Sequence, residues 1–203
     1  MGEQIKNNNT LKSLSITDKD FIAAAKILKC DIAAIKAVCH VEAPNGGFGA
    51  YGDPIILFEG HWFHRFTSGI YDIDYPDISY KKWTKKFYGR SQIIEYKRYN
   101  TAFSLSADSA IMSTSWGKFQ IMGFNFAVCG FPTVNHFIDA MWRHEKDHLN
   151  AFCNYIKGVG LDDELRLLRW DKFAYKYNGP EYRKNKYAEK LASAYSKFTD
   201  YQW

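Results

Sequence analysis

Three polar positions in the chain lie beside glycines where a helix should stop or start. They are Glu42 ahead of Asn45-Gly46-Gly47, Gln120 after Trp116-Gly117, and Tyr177-Asn178 ahead of Gly179-Pro180. Glycine lets a polymer approach the backbone closely, and amide side chains can bond sugar hydroxyls and N-acetyl groups. Glu42 is the member of this set that could move a proton. To give one to a leaving oxygen near neutral pH, a carboxylic acid must sit where ionisation is opposed. Glu42 has apolar neighbours in Val41, Ala43 and Phe48 and falls in a last helical turn, where the backbone carries partial negative charge. Taken singly, each feature is ordinary, because most acids at helix ends are solvated and Asn-Gly-Pro is a common turn.

The element that must deliver Glu42 is readable. Apolar residues at 34, 35, 38 and 41 follow helical spacing, so a helix is expected from about residue 31 to 43, stopped by Pro44 and the Asn-Gly-Gly turn. Before it, Thr17-Asp18-Lys19-Asp20 has the form of a capping box with Asp in the Glu position, opening a helix that pairs with the Glu42 helix as a hairpin. Ile55 to Glu59 reads as a short strand and His61 to Phe66 as a short aromatic helix. Residues 68–90 have weak periodicity and should be irregular. Helices are then expected over 91–105, 107–112, from the Trp116-Gly117 loop on to Cys129, and over 134–155 as the longest. Shorter helices are expected over 162–168 and 171–177, and a final one over 182–198. The overall expectation is a mainly α, α+β fold with a helical lobe and a small strand or hairpin region around residues 48–60. Residues 1–14 should form a polar tail and 15–203 a single domain.

Composition narrows the function without fixing it. A formal charge of +5 favours an anionic polymer such as nucleic acid, an acidic membrane face or cell-wall material. The Lys81-Lys82 and Lys85-Lys86 pairs around Trp83 read as a solvated face, not as a nucleic-acid arm, so no nucleic-acid partner is expected. Surplus aromatics (14 Tyr, 15 Phe, 6 Trp) suit sugar stacking as well as a core. The four cysteines lack a CxxC pair, and Cys39, Cys129 and Cys153 read as buried thiols. His144 and His148 are four apart, but without HExxH or a third ligand they read as surface or capping groups. No metal or other cofactor is expected. There is no signal-peptide core and no apolar run of 18, so the expectation is a soluble chain made in the cytoplasm, with no membrane span.

Jointly and in order, these pieces carry a resemblance. WGKFQIMG resembles the GLMQI motif of transglycosylases and FAYKYNGP resembles their AYNAG motif. VEAPNGGFG, DPIILFEGHWFHR, AIMSTSWGKFQIMGFNF and AYKYNGP together resemble the N-acetylmuramidase domain of phage endolysins, over about residues 16 to 197. The resemblance implies a lysozyme-like fold that cuts the β-1,4 bond between N-acetylmuramic acid and N-acetylglucosamine in peptidoglycan strands, with Glu42 on the catalytic glutamate. It puts Ser115, Trp116, Gln120, Tyr177 and Asn178 on substrate-groove positions, with Phe48 counted beside them. It also implies a phage lysis role, in which a monomer made in the host cytoplasm escapes with help from a holin; an injected antibacterial effector would look the same. Two departures stand out: Ala43-Pro44 replace a Ser or Thr after the glutamate, and Gly60 stands where LFERH is common. Many members also carry an N-terminal wall-binding module, which is not expected here.

Glycoside hydrolysis usually needs a second carboxylate, about 5 to 5.5 Å away if it attacks and about 6.5 to 9.5 Å away if it activates water. Glu59 is the preferred candidate, because the strand before it could form the small lobe facing the Glu42 helix end. A purely structural acid bonded to backbone or Arg65 is an equal reading, and Asp53, in a Gly-Asp-Pro turn, ranks lower. A single acid would still permit a lytic transglycosylase, which forms an anhydro product with the substrate's own hydroxyl. A glycan-binding module without catalysis is the non-enzyme alternative.

Overall fold

A computed structural model describes residues 14–199 of the chain. Apart from its last residue, the polar N-terminal tail expected from the sequence lies outside the described residues. Helix α1 (Asp18–Leu28) opens with the expected capping box, in which Thr17 accepts from the Asp20 amide and the Asp20 side chain accepts from the Thr17 amide. Lys29 then takes a left-handed turn and Asp31 caps α2 (Ile32–Glu42) by accepting from the Ala33 amide at 3.0 Å. From Ala33 to Cys39 every residue of α2 is buried, so this helix is the axis of the helical lobe rather than an amphipathic surface helix. Its most extensive neighbour is the final helix, α10 (Tyr187–Thr199).

The second lobe starts with β1 (Ile56–Phe58) and α3 (Gly60–Phe66), as expected. The strand lies within the expected strand or hairpin region at 48–60, and its sheet partners come from far along the chain. β1 pairs antiparallel with β2 (Thr114–Trp116), with Leu57 opposite Ser115, and β2 pairs with β3 (Ile121–Met122). Between 48 and 54 there is only a single bridge, Phe48 to Pro54. The helix expected up to Cys129 is replaced by β3 and two 3-10 turns, Gly117–Phe119 and Gly123–Asn125. Gln120, at φ +47°, makes the reversal between the strands.

Helices α4 (Gln92–Leu105) and α5 (Ala107–Met112) follow the sequence expectation. The long helix expected over 134–155 is two helices, α6 (Val134–Arg143) and α7 (Glu145–Gly158). His144 breaks it by taking extended backbone (φ −167°, ψ 144°), and its Nδ1 accepts from the Lys146 amide at 2.9 Å. This side-chain cap supplies what the interrupted ladder loses. His148 is not a surface group either. It is buried, its Nδ1 accepts from the Lys118 amide at 3.1 Å, and its Nε2 faces the Met141 carbonyl at 2.7 Å. Burial lowers its pKa, which keeps it neutral with the proton on Nε2. Helices α8 (Asp162–Arg166), α9 (Trp170–Asn178) and α10 close the fold.

The irregular segment 68–90 is real, and it is tied down by a buried ion pair. Glu95 and Arg98 of α4 lie 3.1 Å apart; Glu95 accepts from the amides of Phe58 and Gly89, and Arg98 donates to the carbonyls of Phe58 and Asp77 at 3.2 Å. A second anchor is Gly60. A Cβ there would come within 2.3 Å of the Tyr80 ring and 2.4 Å of the Ile78 carbonyl, so the missing side chain lets the segment close over the start of α3. No described helix is long and apolar enough to cross a membrane. All four cysteines are free thiols, with Cys39, Cys129 and Cys153 buried as expected.

Candidate active site

Glu42 is the last residue of α2. The Ala43 amide closes the helix onto the Cys39 carbonyl at 3.2 Å, and Pro44 ends it. The turn that follows is pinned by a second buried acid. Glu145, at the start of α7, accepts from the Gly47 amide at 2.5 Å and the Ile16 amide at 3.2 Å, and pairs with Lys118 at 3.3 Å. A Cβ on Gly47 would lie 2.9 Å from the His148 ring and 3.0 Å from the Lys118 amide, so the turn can pack here only with glycine. Lys118, from the turn between β2 and β3, thus ties the Glu42 helix end to the sheet.

Glu42 is half-buried, and its carboxylate has two side-chain partners, Tyr187 from α10 and Asn178 from the end of α9. Burial pushes its pKa up to about 7; the hydrogen bonds from Tyr187 and Asn178 oppose that shift by favouring the carboxylate, and burial wins. Tyr187 is itself raised, by burial and then by the charge of Glu42, so it stays a hydroxyl and donates. The result is an acid held at the point where it can both keep and release a proton near neutrality.

Asn178 and Tyr187 also line a cleft of about 1220 Å³. Its opposite wall holds Glu59, His61, Trp62, Trp83 and Tyr88. Glu59 precedes α3 directly. It accepts from the Tyr88 hydroxyl at 2.7 Å through Oε1, while Oε2 lies 3.3 Å from His61 Nδ1 and is otherwise unpartnered. Its partners are thus Tyr88 and His61; Arg65 packs instead over the Trp62 ring at 4.7 Å.

The other positions singled out from sequence divide between cleft and core. Asn178 is exposed on the cleft. Trp116 is 1% exposed, donates to the Ile111 carbonyl at 3.1 Å and packs edge-on against Tyr99. Phe48 is buried against His148, with ring centres 5.1 Å apart. Ser115 donates to Gln120 at 2.9 Å, and Gln120 in turn donates to the carbonyls of Gly117 (2.9 Å) and Ile55 (3.2 Å), bracing the sheet from within. Tyr177 donates to the Phe119 carbonyl at 2.7 Å and stacks on Phe173, which joins α9 to the sheet turn. Asp53 lies elsewhere, beside Pro54 and Tyr96 on the outer face of α4. Sequence reasoning missed Tyr187, which is 145 residues from its partner, and placed the Trp83 segment on a plain solvated face when it forms a cleft wall.

The sequence model for the family described as Muramidase, N-acetylmuramidase, matches residues 31–199. The chain belongs to the N-acetylmuramidase family. This muramidase is also similar to a solved structure, the crystal structure of Burkholderia AP3 phage endolysin. The identity is 36% and the TM-score 0.83, over 92% of this chain and 72% of that one. Curated proteins give no match. Family and fold agree with the mainly helical lysozyme-like architecture expected from the motifs, and they make the muramidase a peptidoglycan hydrolase.

Proposed function

We propose that the chain is one catalytic domain, spanning residues 15–203, that hydrolyses the β-1,4 bond between N-acetylmuramic acid and N-acetylglucosamine, with Glu42 as general acid. The observation that carries this reading is the raised pKa of Glu42, about 7, at a carboxyl whose two partners line the cleft. A sugar chain lying in the cleft would put a glycosidic oxygen within reach of that proton. As the bond breaks, the departing oxygen takes it and Glu42 becomes a carboxylate. Tyr187 and Asn178 already donate to it and would stabilise that form.

Glu59 is the proposed second carboxylate, stabilising the sugar cation or activating water across the cleft. Its place on the cleft wall favours hydrolysis over the transglycosylase route, which needs no second acid. Asn178 is the amide that would meet an N-acetyl group or hydroxyl. Phe48, Ser115, Trp116, Gln120 and Tyr177 serve the groove from beneath, by holding the sheet turn and the end of α9. The setting we infer is phage lysis, with the protein reaching the wall through a holin and acting as a monomer.

Mass spectrometry of digested peptidoglycan tests the reaction. Reduced muramic ends are expected. Glucosamine ends would mean the other glycosidic bond, anhydro ends a transglycosylase, and wall binding without new ends a module that does not cut.

A further inference from the structure

The cleft has a strongly one-sided charge that bond cleavage does not require. Among the described residues lining it, Arg65, Lys81, Lys85 and Lys184 are cationic and Glu59 is the one acid. Arg65, Lys81 and Lys85 form no ion pair among the described residues, although Arg65 lies over Trp62 and the Lys85 ammonium lies 5.8 Å from the centre of the Trp83 ring. These cations are mounted on a built wall. Tyr80 seats against Gly60, Tyr88 donates to Glu59, and the Glu95–Arg98 pair grips the segment at Asp77 and Gly89, so Lys81 to Lys85 span two fixed ends. Trp83 stands half-exposed between the lysines, at 50%.

An aromatic face flanked by ammonium groups suits a ligand that is sugar on one side and anion on the other. The backbone of peptidoglycan is made of N-acetylated sugars that carry no charge once the lactyl groups are joined to peptide. Its carboxylates hang from the stem peptides. We propose that Lys81 and Lys85, with Arg65, are specificity-determining residues that bind stem-peptide carboxylates, so that the enzyme prefers strands still bearing their anionic peptides. This rests on the reading of the cleft as the glycan site and names the part of the substrate that its wall recognises.

The test compares native sacculi with sacculi whose carboxyls have been converted to amides by carbodiimide and ammonia, which leaves the glycan unchanged. Binding is read by pull-down with Glu42→Gln protein, so it does not depend on which bond is cut. Protein with the wall intact should bind native sacculi about tenfold tighter than amidated ones, the sum of a few partly screened ion pairs, and added salt should erase the difference. In Lys81→Gln/Lys85→Gln, built on the same Glu42→Gln background, the ratio should fall to about threefold or less. Both lysines are exposed, and an unchanged melting temperature checks the fold. A ratio near one before the lysines are changed, or an undiminished ratio after, overturns the proposal. Failure of the cleavage reading would appear separately, as the absence of new muramic ends with wild-type enzyme.

Discussion

Glu59 lines the cleft and Glu42 is bonded to two residues of the facing wall, Tyr187 and Asn178, and the surroundings of the two acids differ in kind. Glu42 ends a helix whose body is wholly buried, and burial raises its pKa to about 7 despite two hydrogen-bond donors. Glu59 stands at the junction of a three-residue strand and a two-turn helix, supported by Tyr88 from an irregular segment and faced by His61. One carboxyl is held by an apolar scaffold and the other by polar neighbours on a wall.

The most direct way to break the comparison is to remove the proton at one side. Glu42→Gln keeps shape and hydrogen-bonding capacity but cannot donate, so muramic-end release should fall by at least about two orders of magnitude with the fold retained. Near-normal release by this variant would reject Glu42 as the acid. Glu59→Gln should cost less, about tenfold to a hundredfold in kcat, with a change in stability below about 1 kcal/mol, because its one strong partner, Tyr88, can still donate to the amide oxygen. A fall in melting temperature with unaltered kcat would make Glu59 a structural acid instead.

The asymmetry also explains what was legible in the sequence. The Glu42 side is local: Asp31 as cap, apolar spacing through Val38, and Pro44 as stop lie within fourteen residues, and the helix stands within a residue of its expected bounds. The Glu59 side is assembled from distance. β1 reads as a strand from its own residues, but its partner, β2, is 58 residues away at Ser115. β3 is two residues long and sits between glycine turns, where neither period can register. The break at His144 was hidden because apolar spacing carries on through it; only the cap shows that the backbone does not. Tyr187, Glu145 and the lysine wall share this limit. Each has an ordinary residue type at an ordinary position, and its meaning comes from a partner that no short window contains.

A smaller effect sharpens the Glu42 half. A carboxyl whose pKa is raised on folding binds its proton more tightly in the folded state, so its contribution is fully present below the unfolded value of 4.5 and is lost as pH rises through about 7. Wild-type protein should therefore lose about 2 to 3 kcal/mol from this group between pH 5 and pH 8, a loss that Glu42→Gln should not show. Urea melts of both proteins at the two pH values measure it. Equal pH dependence in the two would mean that Glu42 is solvated and its pKa ordinary.

The least drastic change separates the two opposing influences on Glu42 itself. Tyr187→Phe removes a hydroxyl that donates to the carboxylate and leaves the ring that helps to bury it. Since that bond favours the charged form, its loss should raise the Glu42 pKa further and move the alkaline limb of the pH–activity profile upward by about half a unit to one unit. The rate at the optimum should fall by about threefold to tenfold, because the carboxylate left after proton transfer has one donor fewer and the side chain is held less firmly. A limb that moves down would mean that the Tyr187 hydroxyl shields Glu42 from water more than it bonds to it. A limb that stays in place, with the same loss of rate, would assign the limb to a group other than Glu42.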